Sequence, residues 1–201
     1  GSRKGGGFER EMAKWLSSFW SLGSNQDLCW RSSSSGGRVK LNKRKMSHLV
    51  YGDLSPISAD MEPFFNKFCV ELKHYKELTA DDLLGAPGSN ILKFINQTVD
   101  EADGSNRWPI LIYKANFYPT RIVIRDVTVN EFWDCLSGKP PRHLTFTGMV
   151  KRFKVEAMIK FYIFNLEELA AIVDANKLRI KLGAKSLLIT RQAKTDQVIA
   201  A

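Results

Sequence analysis

Asp53, Glu71 and Lys73 carry groups suited to work on phosphate esters. Asp53 stands in Gly52-Asp53-Leu54, and Glu71-Leu72-Lys73 lies within the run 66–75. Alternation along that run predicts a strand with Phe68, Val70 and Leu72 on one face and Cys69, Glu71 and Lys73 on the other. The apolar set can pack on a helix, which leaves a carboxylate and an ammonium two residues apart on the opposite face. Alone, Glu-x-Lys reads equally as a surface ion pair. The second carboxylate changes that reading. A hairpin of strands 49–58 and 67–74 would bring Asp53 to the same end of the sheet as Glu71. Converging carboxylates repel unless a cation joins them. Hard oxygen ligands with open positions suit Mg²⁺ or Mn²⁺. Lys73 beside such an ion would orient or deprotonate a water, or neutralise charge building on a phosphoryl oxygen. Asp60 and Glu62 are rival acidic residues in the loop that follows. Asp53 is preferred because its context is strand-like.

The elements that must position these groups follow from periodicity. Residues 7–22 read as an amphipathic helix with Phe8, Met12, Trp15, Leu16 and Phe19 on its stripe and Gly23 as its stop. A short strand at 28–33 precedes a serine-glycine loop at 32–38, and strand character returns at 49–58. A loop at 59–63 leads into strand 66–75, and 81–88 is a loop or short helical turn. Ser89 is a plausible cap for a helix over 89–102, with Ile91, Leu92, Ile95, Val99 and Ala102 buried. Strands follow at 109–114 and 121–127, a short helix at 129–137, strands at 144–150 and 158–164, a helix at 166–173, and a basic, mixed tail after Asn176. This order predicts an α/β layer with a mixed sheet.

Composition narrows the function classes. The 201 residues are 44% hydrophobic and 25% charged, enough for one domain or one with an elaborated end. No apolar run approaches the ~20 residues of a bilayer span, so no membrane is expected. The formal charge is +9, and residues 139–201 alone hold 12 basic and 5 acidic side chains. A second basic concentration is Arg38, Lys40, Lys43, Arg44 and Lys45. Such patches attract polyanions, although charge alone equally fits a solvated face. Cys29, Cys69 and Cys135 are odd in number and scattered, which points to a reducing compartment and small core residues. His48, His74 and His143 lack zinc spacing, and His74 reads as structural. Neither a nucleophile elbow nor a P-loop is present. Trp30, Phe117 and Tyr118 suit base stacking, with core packing the expected use.

Taken together, Asp53 … Glu71-Leu72-Lys73 resembles the PD-(D/E)xK nuclease signature, and the element order resembles that superfamily's αβββαβ core. Lys4-Gly5 … Phe8-Glu9-Arg10-Glu11, followed by Arg31 … Ser35-Gly36 and a basic stretch, is similar to archaeal-type Holliday junction resolvases and related phage nucleases. The resemblance covers roughly residues 4–115, and Gly52 stands where the signature has proline. It implies a restriction-endonuclease-like α/β fold with a mixed sheet. It makes Asp53 and Glu71 metal ligands with Glu9 assisting, Lys73 and Ser35 catalytic, and Gln97 a neighbour of the site. Arg31, Ser35, Gly36, Arg38, Lys40, Lys43, Arg44, Lys45, Gln97 and Lys114 become the expected DNA contacts. The expectation is a cytoplasmic, Mg²⁺-dependent DNA endonuclease acting on branched DNA as a homodimer, with Mn²⁺ substituting. Its core would span 3–127 and a basic extension 128–201. The alternatives are a restriction-type or host-DNA-degrading phage nuclease, and a non-catalytic nucleic-acid-binding module.

Overall fold

The computed structural model describes residues 2–32, 51–76, 89–152 and 155–187. Helix α1 (Ser2–Trp20) begins earlier than periodicity predicts and runs through the glycines of its first turns. Phe8, Met12, Leu16 and Trp20 are buried, as a stripe recurring every three or four residues must be. Strand β1 (Cys29–Arg31) pairs antiparallel with β2 (Leu54–Pro56) as a separate two-stranded ribbon.

Here the expected hairpin is overturned. Strand β2 pairs with β1, not with the strand that carries Glu71. The intervening chain is a 3-10 turn (Ala59–Met61) and helix α2 (Glu62–Lys67), where a loop and the start of a strand were expected. Pro63 in the first turn of α2 explains the difference, because its fixed φ suits a helix start and it has no N–H to lose. Strand β3 accordingly begins at Phe68 and runs to Tyr75.

The main sheet has the order β3-β4-β5-β7-β6, with β4 (Trp108–Ala115), β5 (Arg121–Arg125), β6 (His143–Arg152) and β7 (Val155–Asn165). Strands β3 and β4 are parallel, joined by helix α3 (Asn90–Gly104), and the remaining pairs are antiparallel, so the sheet is mixed. Ser89 caps α3 as expected, its Oγ accepting from Leu92 N at 3.2 Å. Helix α4 (Asp126–Trp133) starts where β5 ends, three residues earlier than expected. Helices α5 (Leu166–Ile172) and α6 (Ala175–Lys181) are the last elements among the described residues, the latter in a tail for which the sequence predicts no element.

The sheet is covered on both faces. Phe8, Met12, Leu16, Phe64, Val70 and Ile112 belong to one cluster, and Ile91, Ile95, Val99, Leu111 and Val123 to the other. Strands β6 and β7 extend the same sheet beyond β5, so it runs unbroken across residue 127.

Candidate active site

Among the described residues β3 is the edge strand of the main sheet, and its outer side receives the segment that leads into β2. Asp53 N donates to Val70 O at 2.8 Å, and Ser32 N donates to Asp53 O at 2.8 Å. Leu72 N donates to Asp53 Oδ2 at 2.8 Å. The Asp53 carboxylate is therefore fixed against the backbone one residue from Glu71. The convergence expected of a hairpin is achieved by these bonds without a ladder. Gly52 makes the approach possible: its φ is +86°, and a Cβ there would lie 2.7 Å from Val70 O. Proline, whose φ is held near −65°, cannot occupy this turn, which explains the departure from the signature.

Glu71 is only 3% exposed. Its Oε1 accepts from Lys73 Nζ, and from Gln97 Nε2 at 2.9 Å. Gln97 Nε2 also donates to Glu101 Oε1 at 3.1 Å, and Glu101 Oε2 accepts from Gly52 N at 3.1 Å. Glu101 thus closes an arch from the turn before Asp53, through Gln97, to Glu71. Sequence reading missed it. The available signal was its place four residues after Gln97, which puts both on one face of α3. Glu9 on α1 is ion-paired with Arg31 on β1.

The electrostatics follow from this crowding. Burial is the largest cause pushing the Asp53 carboxyl up to about 6, helped by the charges of Glu9 and Glu101 and opposed by the Leu72 N–H and Lys73. Glu71 is pushed up to about 8, first by burial and then by Asp53 and Glu101, with Lys73 opposing. Asp53 Oδ1 and Glu71 Oε2 take no hydrogen bond from the described residues. Among those residues no three His, Cys, Asp or Glu side chains form a ready-made cage. Two carboxylate oxygens left without a hydrogen bond are hard ligands of the kind that suit a divalent cation such as Mg²⁺, which binds through one or two carboxylates and keeps much of its hydration. The donor set therefore fits the divalent cation that the signature implies.

The other candidates fall elsewhere. Asp60 is bound in bidentate fashion by Arg179, Nη1 to Oδ2 at 2.8 Å and Nη2 to Oδ1 at 2.6 Å. Glu62 is exposed in the first turn of α2. Lys114 pairs with Glu11 at 3.0 Å. His74 is structural as expected, its Nε2 bonded to Asn116 Oδ1 at 3.2 Å and its ring against Phe8. All three cysteines are free and buried. Trp30, Phe117 and Tyr118 are exposed, against the expected core use, because two of them sit in the tight β4–β5 turn and the third points outward from a two-stranded ribbon. Ser35, Gly36, Arg38, Lys40, Lys43, Arg44, Lys45 and His48 lie outside the described residues, as does the loop at 81–88.

The family model described as "Phage putative PDDEXK endonuclease" matches residues 1–179. The chain belongs to this family. Membership accounts for the mixed α/β architecture as a restriction-endonuclease-like fold and supports a nuclease with DNA as its substrate. Nucleases of this kind generally use divalent metals. The match runs well past residue 115, through β6 and β7 and into α6, so those elements belong to the family's fold. No curated protein and no solved structure matches the chain. No helix among the described residues is long and apolar enough to cross a membrane.

Proposed function

We propose that this chain is a Mg²⁺-dependent DNA endonuclease, with Mn²⁺ able to replace Mg²⁺, and that branched DNA of the Holliday-junction type is its substrate. The observation that carries the reading is the bond from Leu72 N to Asp53 Oδ2, which fixes two carboxylates and Lys73 at one sheet edge. Asp53 and Glu71 would hold the cation through their open oxygens, with Glu9 assisting from α1. When bound, that cation polarises a phosphoryl oxygen and makes an attacking water more acidic. Lys73, tied to Glu71, orients the water for in-line attack and offsets negative charge at phosphorus. Gln97 and Glu101 hold Glu71 in its rotamer.

Arg31, Lys114, Ser35-Gly36 and the basic residues Arg38, Lys40, Lys43, Arg44 and Lys45 are assigned to the DNA backbone. In this reading residues 3–127 carry the chemistry and the basic region 128–201 widens the DNA surface. Contacts to phosphate read shape more than sequence, which suits a branched substrate. Symmetric cutting of two strands calls for a twofold homodimer, working in the cytoplasm of the host cell.

Incubation with a four-way junction, linear duplex and single strand, in Mg²⁺ and in EDTA, tests the proposal. Junction-selective cutting that EDTA abolishes is expected. Cutting of plain duplex at fixed sites would move the substrate to the restriction class. Binding without cutting in any metal would overturn the enzymatic reading.

A further inference from the structure

The turn between β4 and β5 carries a feature that the catalytic edge does not use. Phe117 is fully exposed, at 104% of its reference area, and no other large apolar side chain among the described residues is as open. Its φ is +66°, in the left-handed region that any side chain with a Cβ disfavours. Two local penalties, exposure and backbone strain, meet at one aromatic residue that no described residue covers. Residues held this way cluster where a ligand is met.

The turn is also anchored. Asn116 Oδ1 is bonded to His74 Nε2 at 3.2 Å, and His74 directly follows Lys73 on the catalytic strand. Tyr118 N donates to Ala115 O at 3.2 Å, and Leu166 N donates to Thr120 O at 3.0 Å, tying the other side of the turn to α5. Tyr118, beside Phe117, is itself exposed.

Location and charge select the partner. Lys73 lies opposite Tyr113 in the parallel ladder and Tyr75 opposite Ala115, the last residue of β4, so Phe117 stands in the turn just past the same end of the sheet toward which the catalytic strand runs. Lys76 directly follows β3 and Arg121 opens β5, so cationic residues stand on both sides of the turn, and Lys114 near the end of β4 pairs with Glu11. The acidic first turn of α5, Glu167 and Glu168, joins at Thr120, which puts these two acids on the side of the turn away from β3. A planar apolar group on a rigid tip, beside cationic side chains, fits the gap between unstacked bases.

We propose that Phe117, supported by Tyr118, is a stacking wedge that enters between bases where DNA is branched or unpaired. The Asn116–His74 bond holds it at a set distance from the catalytic strand. This inference rests on the DNA-endonuclease reading above. The test uses the full chain carrying Glu71→Gln, a four-way junction with 2-aminopurine at the branch, and an intact duplex of equal length. Binding of the junction is expected to brighten the 2-aminopurine as it unstacks. Adding Phe117→Ala should cancel the brightening and cut the preference for junction over duplex roughly tenfold or more, while Phe117→Trp restores both. Thermal melting of Phe117→Ala should be no lower than that of the parent.

If the native chain neither binds nor cuts DNA, the endonuclease reading and the wedge fall together. If it cuts DNA but Phe117→Ala leaves brightening and preference intact, the wedge alone is overturned. A change in oligomeric mass without a change in either DNA signal would overturn it equally, by making the tip a protein contact.

Discussion

Two acidic residues close together in sequence, Asp53 and Asp60, end up in opposite electrostatic situations. At Asp60 the charges match: both carboxylate oxygens are bound by Arg179, which is itself fully buried. The same guanidinium also donates to Trp20 O and Lys185 O, so it joins the end of α1 to the chain beyond α6. At Asp53 the charges do not match. Asp53 and Glu71 lie beside each other with Lys73 as their shared cation and with the charges of Glu9 and Glu101 near by, and the two carboxyls are pushed up to about 6 and about 8. A satisfied pair fastens elements together. An unsatisfied one holds a negative excess that only a proton or a bound cation relieves. That contrast separates the fastening acid from the one proposed to hold the cation more cleanly than their sequence contexts do.

The sharpest way to break the contrast is to neutralise the excess. Asp53→Asn or Glu71→Gln should lower cleavage by about 10³-fold or more, since the several kcal/mol supplied by a bound cation are lost. Binding to the same DNA in EDTA should stay level or tighten, because a charge that repelled phosphate is gone. Cleavage within tenfold of the native rate in either variant would remove that carboxylate from the site. Lys73→Ala should cost less, about 10²-fold, while a Mn²⁺ titration still shows the ion bound. A native rate in that variant would leave the lysine as a mere partner of Glu71.

Asp60→Ala probes the other side of the comparison. It leaves a buried guanidinium with only carbonyl acceptors, and stability should fall by about 3 kcal/mol. The cleavage rate per folded molecule, measured well below the melting temperature, should not move. A large loss of rate with unchanged melting would reverse the roles given to Asp53 and Asp60.

Much of the site was legible because it depends on alternation within one strand. Glu71 and Lys73 on a shared face follow from a period of two, and Gln97 reaches Glu71 because α3 forms where its capped apolar stripe says it should. The approach of Asp53 was anticipated but its means was not. A hairpin is a local, repetitive object that pattern reading suggests readily, whereas the actual link is one turn at Gly52 with a positive φ and two single hydrogen bonds. Glu101 was hidden for a related reason. A carboxylate on a helix surface looks solvated until the partner beneath it is known, and here that partner is a backbone N–H distant in sequence. Helix α6 escaped notice because its buried face depends on Arg179, a residue whose type argues for the surface unless a carboxylate waits inside. The tip at Phe117 shows the converse failure. Aromatic type argued for the core, and only the strained turn reveals that the ring has nowhere to pack.

The smallest effect is also the most direct measure of the charge excess. In the metal-free protein Asp53 and Glu71 keep protons in the fold that the unfolded chain has released, since ordinary carboxyls titrate near 4. The folded state therefore binds more protons across the window from about pH 4 to about pH 8. Stability must then fall as pH rises through that window and level off above it. Other groups titrate in the same range, so the useful quantity is the difference between the native chain and Glu71→Gln. In EDTA the two should melt together near pH 5, where Glu71 is protonated. At pH 8.5 the variant should melt about 3 °C or more above the native chain, because the glutamine carries no charge to bury. Mg²⁺ should close the gap at pH 8.5 by stabilising the native chain, with little effect at pH 5 where protons compete for the same oxygens. Parallel melting of the two proteins from pH 5 to 8.5 in EDTA would show that the edge of β3 holds no uncompensated charge, and Asp53 would then stand no differently from Asp60.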